Sequence, residues 1–355
     1  MYRLKSTLLI VAGFLAVVSV FAGILHLPIS SADGRFTNIL DAYFIANSAA
    51  CLTSLSTVDI ATHFSLFGKI VILLLIQCAG LAYMTTSTTM VLYLRKSMML
   101  SDKFAVKSSE RFSGIRDTLS VLKRISLMVF AVEGIGAAAL FIRWLPEMGV
   151  YRSAFHSVFY SVSAFCNAGS VLTGNFSSLS IYRTDLVVNL VITALAILGG
   201  LGFLVLADII HNRRFSLQSK IVIWSTLLLL ATGTGLILGI EYNNAGTIGG
   251  LGLGGKLLSA FFQSVSSRSA GFSTLPVDKM MPTSLLVLMG LMFIGSGPQG
   301  TGGGIRISTF SLICATIAAT LRNRKNTEIY ERRLPPETIR KAFAVFFLSI
   351  TMIAA

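Results

Sequence analysis

FIANSAACLTS (Phe44–Ser54), FYSVSAFCNAG (Phe159–Gly169) and FFQSVSSRSAG (Phe261–Gly271) follow one pattern. Each starts on Phe, runs through small Ser- and Ala-rich residues, and reaches a Ser or Gly ten positions later. Each also lies between long apolar segments. Uncharged, small-residue backbone inside a membrane suits an ion filter. Its carbonyl oxygens can replace a cation's hydration shell, and small side chains leave that backbone accessible. Copies from several repeats can then close a ring around one axis.

The flanking sequence fits that reading. Hydrophobic residues make up 54% of the 355-residue chain and charged residues 12%, with a mean hydropathy of +0.77. This is the profile of an integral membrane protein rather than a soluble domain. Apolar runs of spanning length cover Leu8–Leu27, Leu66–Leu94, Ile125–Leu145, Leu186–Ile210, Ile221–Ile240 and Leu285–Leu321, and a further run, Ala342–Ala355, reaches the chain end. The three motifs fall between the first and second, third and fourth, and fifth and sixth runs. Each motif is too short to cross alone, so it reads as a re-entrant half-helix followed by an extended loop. Such backbone is tolerated at membrane depth where it is buried in protein or lines an aqueous path.

The expected fold is therefore all-α, built from helix–pore loop–helix units in a pseudo-fourfold arrangement. The division is 1–95 for repeat one, 96–124 for a basic cytoplasmic loop, 125–212 for repeat two and 213–321 for repeat three. Residues 322–355 hold a cytoplasmic loop and the first helix of an incomplete fourth repeat. A fourth motif at similar spacing falls beyond residue 355. The chain is thus expected to be truncated at its C-terminus or encoded in pieces. Arg3, Lys5 and Ser30-Ser31-Ala32 imitate a cleavable signal, but the run from Leu8 is about long enough to span and reads as a permanent first helix.

The net charge of +14 raises the question of nucleic acid, and its distribution answers it. Of the 29 Lys and Arg residues, 20 fall in Met1–Ser6, Arg95–Arg124, His211–Lys220 and Leu321–Lys341, all on one side of the expected topology. That bias follows the positive-inside rule with a cytoplasmic N-terminus. No nucleic-acid partner is expected; anionic membrane lipid is. The four cysteines (Cys51, Cys78, Cys166, Cys314) lack metal-ligand spacing and read as small buried residues.

The sixth run is interrupted by GSGPQGTGGG (Gly295–Gly304). It lacks the GK[ST] ending of a phosphate loop and sits between apolar runs. A simple kink at a helix contact is one reading. The preferred one is an unwound gate beneath the filter, with Gly295, Gly297, Gly300, Gly302, Gly303 and Gly304 supplying its freedom.

SAFCNAG (Ser163–Gly169), SRSAGF (Ser267–Phe272), LGGLGF (Leu198–Phe203) and LMFIGSGPQGTGGGIRIST (Leu291–Thr309) resemble the bacterial Trk/Ktr potassium transporters, relatives of the plant and fungal HKT and Trk transporters. The single helix before the first loop is similar to the shorter Ktr type. The resemblance implies a potassium-channel-like fold in one chain, with Gly169 and Gly271 as filter glycines preceded by Ala168 and Ala270. Loop one departs, with Thr53-Ser54 where the family usually has Thr-Gly. Ser at this position accompanies sodium permeation in plant relatives. The resemblance further implies an intramembrane gate, a homodimer, and a ring of cytoplasmic nucleotide-binding regulatory subunits docked on Arg95–Arg124 and Leu321–Lys341. The expected cargo is potassium, with sodium possible; no resident metal or other cofactor, and no enzymatic activity, is expected. The alternatives are an inactive or split fragment of such a subunit, or a secondary transporter of a small solute.

Seven further residues bear on the pathway. Glu133, an acid inside an apolar helix, is either functional or structurally paired with pore-loop groups. Arg268 reads as a loop anchor bonding carbonyls, since a cation there repels permeant ions. Arg306 reads as a brace for the Gly-rich stretch, and Asn167, like Gln77, as a partner for buried backbone. Asp59 and Asp278 read equally as cation-enriching mouth residues or solvated surface.

Overall fold

The computed structural model describes residues 2–101, 115–174, 177–211, 215–324, 326–330 and 332–354. Residues 102–114 of the basic loop 96–124 therefore lie outside the described residues. Apolar sequence long enough to cross a bilayer can satisfy its backbone there only as helix, and the chain is built accordingly. The first region runs α1 (Tyr2–His26), half-helix α2 (Ile39–Cys51), short α3 (Ile60–His63) and α4 (Leu66–Ser101). The second runs α5 (Ile115–Met148), half-helix α6 (Val150–Phe165), α7 (Leu186–Leu201) and α8 (Phe203–His211). The third runs α9 (Leu217–Glu241), half-helix α10 (Leu253–Val265), α11 (Pro282–Phe293) and α12 (Ile307–Leu321). A two-residue hairpin, β1 (Glu328–Ile329) against β2 (Arg332–Arg333), leads to α13 (Pro336–Ala354).

Among the described residues, three stretches are long and apolar enough to cross unbroken: Leu66–Met90, Leu119–Met148 and Leu217–Glu241. Local chemistry sets the helix starts. Asn38 accepts from Leu40 N at 3.1 Å, Asp185 from Val188 N at 3.0 Å and Ser216 from Ser219 N at 3.2 Å, while Pro282 opens α11 where its missing N–H costs nothing. Each half-helix packs on its neighbours: α2 on α1 and α4, α6 on α5 and α7, α10 on α9 and α7. Small residues permit the close approach that drives helix association in lipid. A Cβ on Gly136 would sit 2.9 Å from Ser161 Oγ, and one on Gly80 would sit 2.5 Å from Cys166 Sγ.

Two expectations are corrected. The run Leu186–Ile210 is not one straight helix: α7 and α8 meet at 105° about Gly202, whose φ is +89°. The Gly-rich stretch lies against this bend, and a Cβ on Gly202 would stand 2.8 Å from Gly300 N. Three of the four cysteines are not buried; Cys51, Cys78 and Cys314 are exposed and only Cys166 is interior. In a membrane protein an apolar sequence context does not mean interior, because lipid tails are as apolar as the core. Leu127 and Ile135, each 73% exposed on α5, make the same point.

Candidate ion pathway and gate loop

The half-helices α2, α6 and α10 end alike. In each following loop, two residues spaced two apart take positive φ: Leu52 (57°) and Ser54 (61°), Asn167 (53°) and Gly169 (62°), Ser269 (97°) and Gly271 (77°). Left-handed backbone at alternate positions breaks the helix and leaves its carbonyls free of intrahelical partners. A serine anchors every turn. Thr53 N donates to Ser48 O at 3.0 Å, Ala168 N to Ser163 O at 2.8 Å and Gly271 N to Ser266 O at 3.4 Å, each spanning five residues. The hydroxyls of Ser163 and Ser266 then bond the carbonyl just past the filter glycine, Ser170 O at 3.0 Å and Phe272 O. Ser48 Oγ instead pairs with Thr53 Oγ1 at 3.1 Å.

The three loops meet. A Cβ on Gly169 would stand 2.7 Å from both Ala270 O and Gly271 Cα, and would also strike Ser54 Oγ. A Cβ on Gly271 would stand 2.6 Å from Ser54 Oγ. Ser54 Oγ donates to Ala168 O, across 114 residues of chain. The sequence-expected filter residues Thr53, Ser54, Ala168, Gly169, Ala270 and Gly271 are therefore brought to one place.

The Gly-rich stretch between α11 and α12 folds back on itself beside them. Gly295 N donates to Ile305 O at 2.9 Å, Ser296 N to Gly303 O at 3.2 Å, and Ser296 Oγ to Gly302 O at 2.7 Å. Arg306 closes the loop through Nη1, which reaches Ser296 Oγ at 3.1 Å, Gly297 O at 3.2 Å and Gly302 O at 2.9 Å, with its guanidinium 5.4 Å from the Tyr83 ring. The loop also takes up orphan carbonyls at the end of α7, which the bend at Gly202 has left without helical partners. Gly297 N donates to Gly200 O at 2.8 Å and Thr301 N to Gly199 O at 3.1 Å. Backbone approaches this close admit no side chain: a Cβ would stand 2.6 Å from Gly303 C at Gly295, 2.6 Å from Leu201 O at Gly297 and 2.8 Å from Gly200 C at Gly300. Gly302 is similarly crowded by Ser296 Cβ at 2.8 Å, and Gly304 has φ +77°. Gly303 is the one of the six expected gate glycines that a Cβ would not crowd, its nearest neighbour being Ser269 Oγ in ordinary contact at 3.8 Å.

Direct bonds tie this loop to two filter loops. Asn167 Nδ2 donates to Thr301 Oγ1 at 2.8 Å, and Thr301 Oγ1 donates to Phe165 O at 3.1 Å. Gly303 N donates to Ser269 Oγ at 2.6 Å, and Arg268 Nη2 to Gly295 O at 3.1 Å. Arg268 thus bonds a carbonyl as the sequence suggested, but the carbonyl belongs to the Gly-rich loop. Asn167 does satisfy backbone, reaching Ala196 O at 3.3 Å, and it bridges the two loops as well. A cavity of about 440 Å³ runs between loops one and three and the Gly-rich loop; Ser54, Gly271 and Thr301–Gly304 are among its walls.

Glu133 stays off this path. It lies behind loop two: its carbonyl accepts from Ser161 Oγ at 2.6 Å and its carboxylate from Cys166 Sγ at 3.9 Å. Gln77, close to it on α4, bonds no backbone group among the described residues, which corrects the expectation that it would. Asp59 caps α3 through Ala61 N at 2.9 Å, and Asp278 sits in the 3-10 turn Val277–Lys279. Sequence reading missed the anchoring serines, Ser269, Thr301 and Tyr83. The serines had a signal, a Ser four or five positions after each motif Phe; Thr301 and Tyr83 had none, because their partners are remote in sequence.

These features define an α-helical membrane protein in which three half-helices and a broken span converge on one site. The chain belongs to the TrkH family of cation transport proteins, whose profile matches residues 4–355. It is 38% identical over 345 residues to the Ktr system potassium uptake protein B of Bacillus subtilis, covering 96% of this chain and 76% of that one. It is 31% identical over 353 residues to the potassium/sodium uptake protein NtpJ of Enterococcus hirae, covering 99% and 78%. The crystal structure of the potassium transporter TrkH from Vibrio parahaemolyticus superposes with a TM-score of 0.71 at 18% identity, over 94% of this chain and 68% of that one.

Proposed function

We propose that this chain is the membrane subunit of a potassium uptake system, passing potassium and also sodium through a filter of backbone carbonyls. The observation that carries the reading is the triple recurrence of paired left-handed residues in loops that touch one another. Thr53, Ser54, Ala168, Gly169, Ala270 and Gly271 dehydrate the ion, and the C-terminal ends of α2, α6 and α10 point their negative dipole ends toward it. The relatives' names, potassium uptake and potassium/sodium uptake, support both cargoes. Movement down the membrane potential calls for no catalytic group and no resident cofactor.

In this reading the units 1–95, 125–212 and 213–321 are repeats in a pseudo-fourfold arrangement, and 322–355 opens a fourth. The Gly-rich loop is the gate, held closed by Arg306 on itself and by Asn167, Ser269 and Arg268 on the filter. The subunit works as a homodimer in a bacterial inner membrane, with a cytoplasmic N-terminus. A nucleotide-binding regulatory ring docks on the basic segments Arg95–Arg124 and Leu321–Lys341, consistent with a relative named as part of a Ktr system.

The test is rubidium and sodium flux into proteoliposomes, with and without residues 297–303. Flux of both ions, raised by the deletion, is the expected result. No ion flux from folded protein would overturn the pathway, and unchanged or lower flux in the folded deletion would overturn the gate.

A further inference from the structure

A second cavity, of about 650 Å³, lies where α4 begins, α5 ends and α6 enters. Lys69, Arg152 and His156 line it, and no carboxylate is among the described residues of its wall. The three basic groups share one field: Lys69 feels Arg152, and His156 feels both. Asp59 also acts on Lys69, but its Oδ1 is engaged in capping Ala61 N. Lys69 Nζ donates to Ala61 O at 2.6 Å, which leaves two of the three ammonium hydrogens for a ligand. Among the described residues neither Arg152 nor His156 has a carboxylate partner. Arg152 stands in the first turn of the 16-residue α6, so the positive end of that helix adds to the field.

The wall is preformed. Trp144 is fully buried between Tyr160, 5.3 Å away, and Tyr182, 5.7 Å away, and its indole N–H has no partner among the described residues. Leu66, Ile70 and Ile181 make the remaining surface apolar. A cluster of this charge repels permeant cations, so it is separate from the ion path. It matches a tetrahedral anion seated by Lys and Arg, with room for attached apolar groups.

We propose that this cavity binds a phosphate group, carried by an anionic phospholipid headgroup or by free phosphate, with Lys69 and Arg152 as its ligands. The test uses the purified chain with Trp224→Phe, which leaves Trp144 as the sole indole. Phosphatidylglycerol and phosphatidylcholine are compared for retention by native mass spectrometry, and inorganic phosphate is titrated against Trp144 emission. Preferential retention of phosphatidylglycerol assigns the site to a headgroup; saturable quenching by phosphate without lipid preference assigns it to the free anion. Either binding should weaken about tenfold in Lys69→Gln/Arg152→Gln and persist in Lys69→Arg/Arg152→Lys, as loss and exchange of charge-assisted bonds require. Equal retention of both lipids with no response to phosphate would overturn the proposal. So would unchanged binding in the Gln pair, with the Arg/Lys exchange variant confirming a folded site.

Discussion

Loops one and two carry the same motif and nearly the same backbone, yet they are held in different ways. From Ser161 to Ser170 every residue of loop two is buried, and Asn167, Ser163 and Thr301 brace it. Loop one is open: Cys51 and Thr53 are exposed and its internal brace is the Ser48–Thr53 pair. Loop two places Gly169 at its candidate filter position with φ +62°, where glycine fits without strain; loop one holds Ser54 at +61°. For an L-residue that conformation costs roughly 1–2 kcal/mol. Ser54 also directs a hydroxyl at Ala168 O, the carbonyl that the ion would use. The dihedral is therefore imposed by the half-helix and its serine anchor, and the residue identity is free to alter what the filter coordinates.

That comparison can be broken at its strongest point first. Gly169→Ala would push a methyl within 2.7 Å of Ala270 O and Gly271 Cα from a left-handed backbone. Rubidium flux should fall by about tenfold or more, since a left-handed Ala alone costs about one decade and the clash adds to it. Flux near the parent level would mean that loops two and three do not touch during conduction.

Next comes the bridge that loop one lacks. Thr301→Val deletes the hydroxyl between Asn167 and Phe165 O. Leaving these buried groups short of partners costs about 1–3 kcal/mol, so a lower melting temperature and a severalfold rise in rubidium leak are expected. A melting loss without leak would make Thr301 a structural brace and not part of a gate.

The smallest effect is a contrast within the proposed gate. Gly303→Ala meets only an ordinary contact with Ser269 Oγ at 3.8 Å and should leave flux and stability close to the parent, whereas Gly300→Ala collides with Gly200 and should destabilise the loop. Measured together by thermal unfolding and flux, the pair separates glycine needed for close packing from glycine that is not.

Much of this was legible in sequence because membrane chemistry constrains it. Apolar runs of spanning length gave α4, α5 and α9, and small-residue motifs between runs gave the half-helices α2, α6 and α10. The Gly-rich interruption located the break between α11 and α12. The bend at Gly202 was hidden, since Leu186–Ile210 keeps a spanning hydrophobic length across it and its break is completed by a loop almost 100 residues away. The Asn167–Thr301 and Ser269–Gly303 bonds were hidden for the same reason: short polar side chains carry no periodicity, and their partners are chosen by tertiary packing. The three exposed cysteines were misread because an apolar sequence context does not distinguish interior from surface in a membrane protein.

The most direct test of the account is the sodium-to-rubidium flux ratio of Ser54→Gly beside that of the parent chain in proteoliposomes. Glycine relieves the left-handed strain and removes the hydroxyl at Ala168 O while leaving the loop's anchors in place. The account predicts that rubidium flux persists and that the ratio falls severalfold. An unchanged ratio, with both proteins folded and conducting, would contradict it, because Ser54 would then have no part in coordinating the ion.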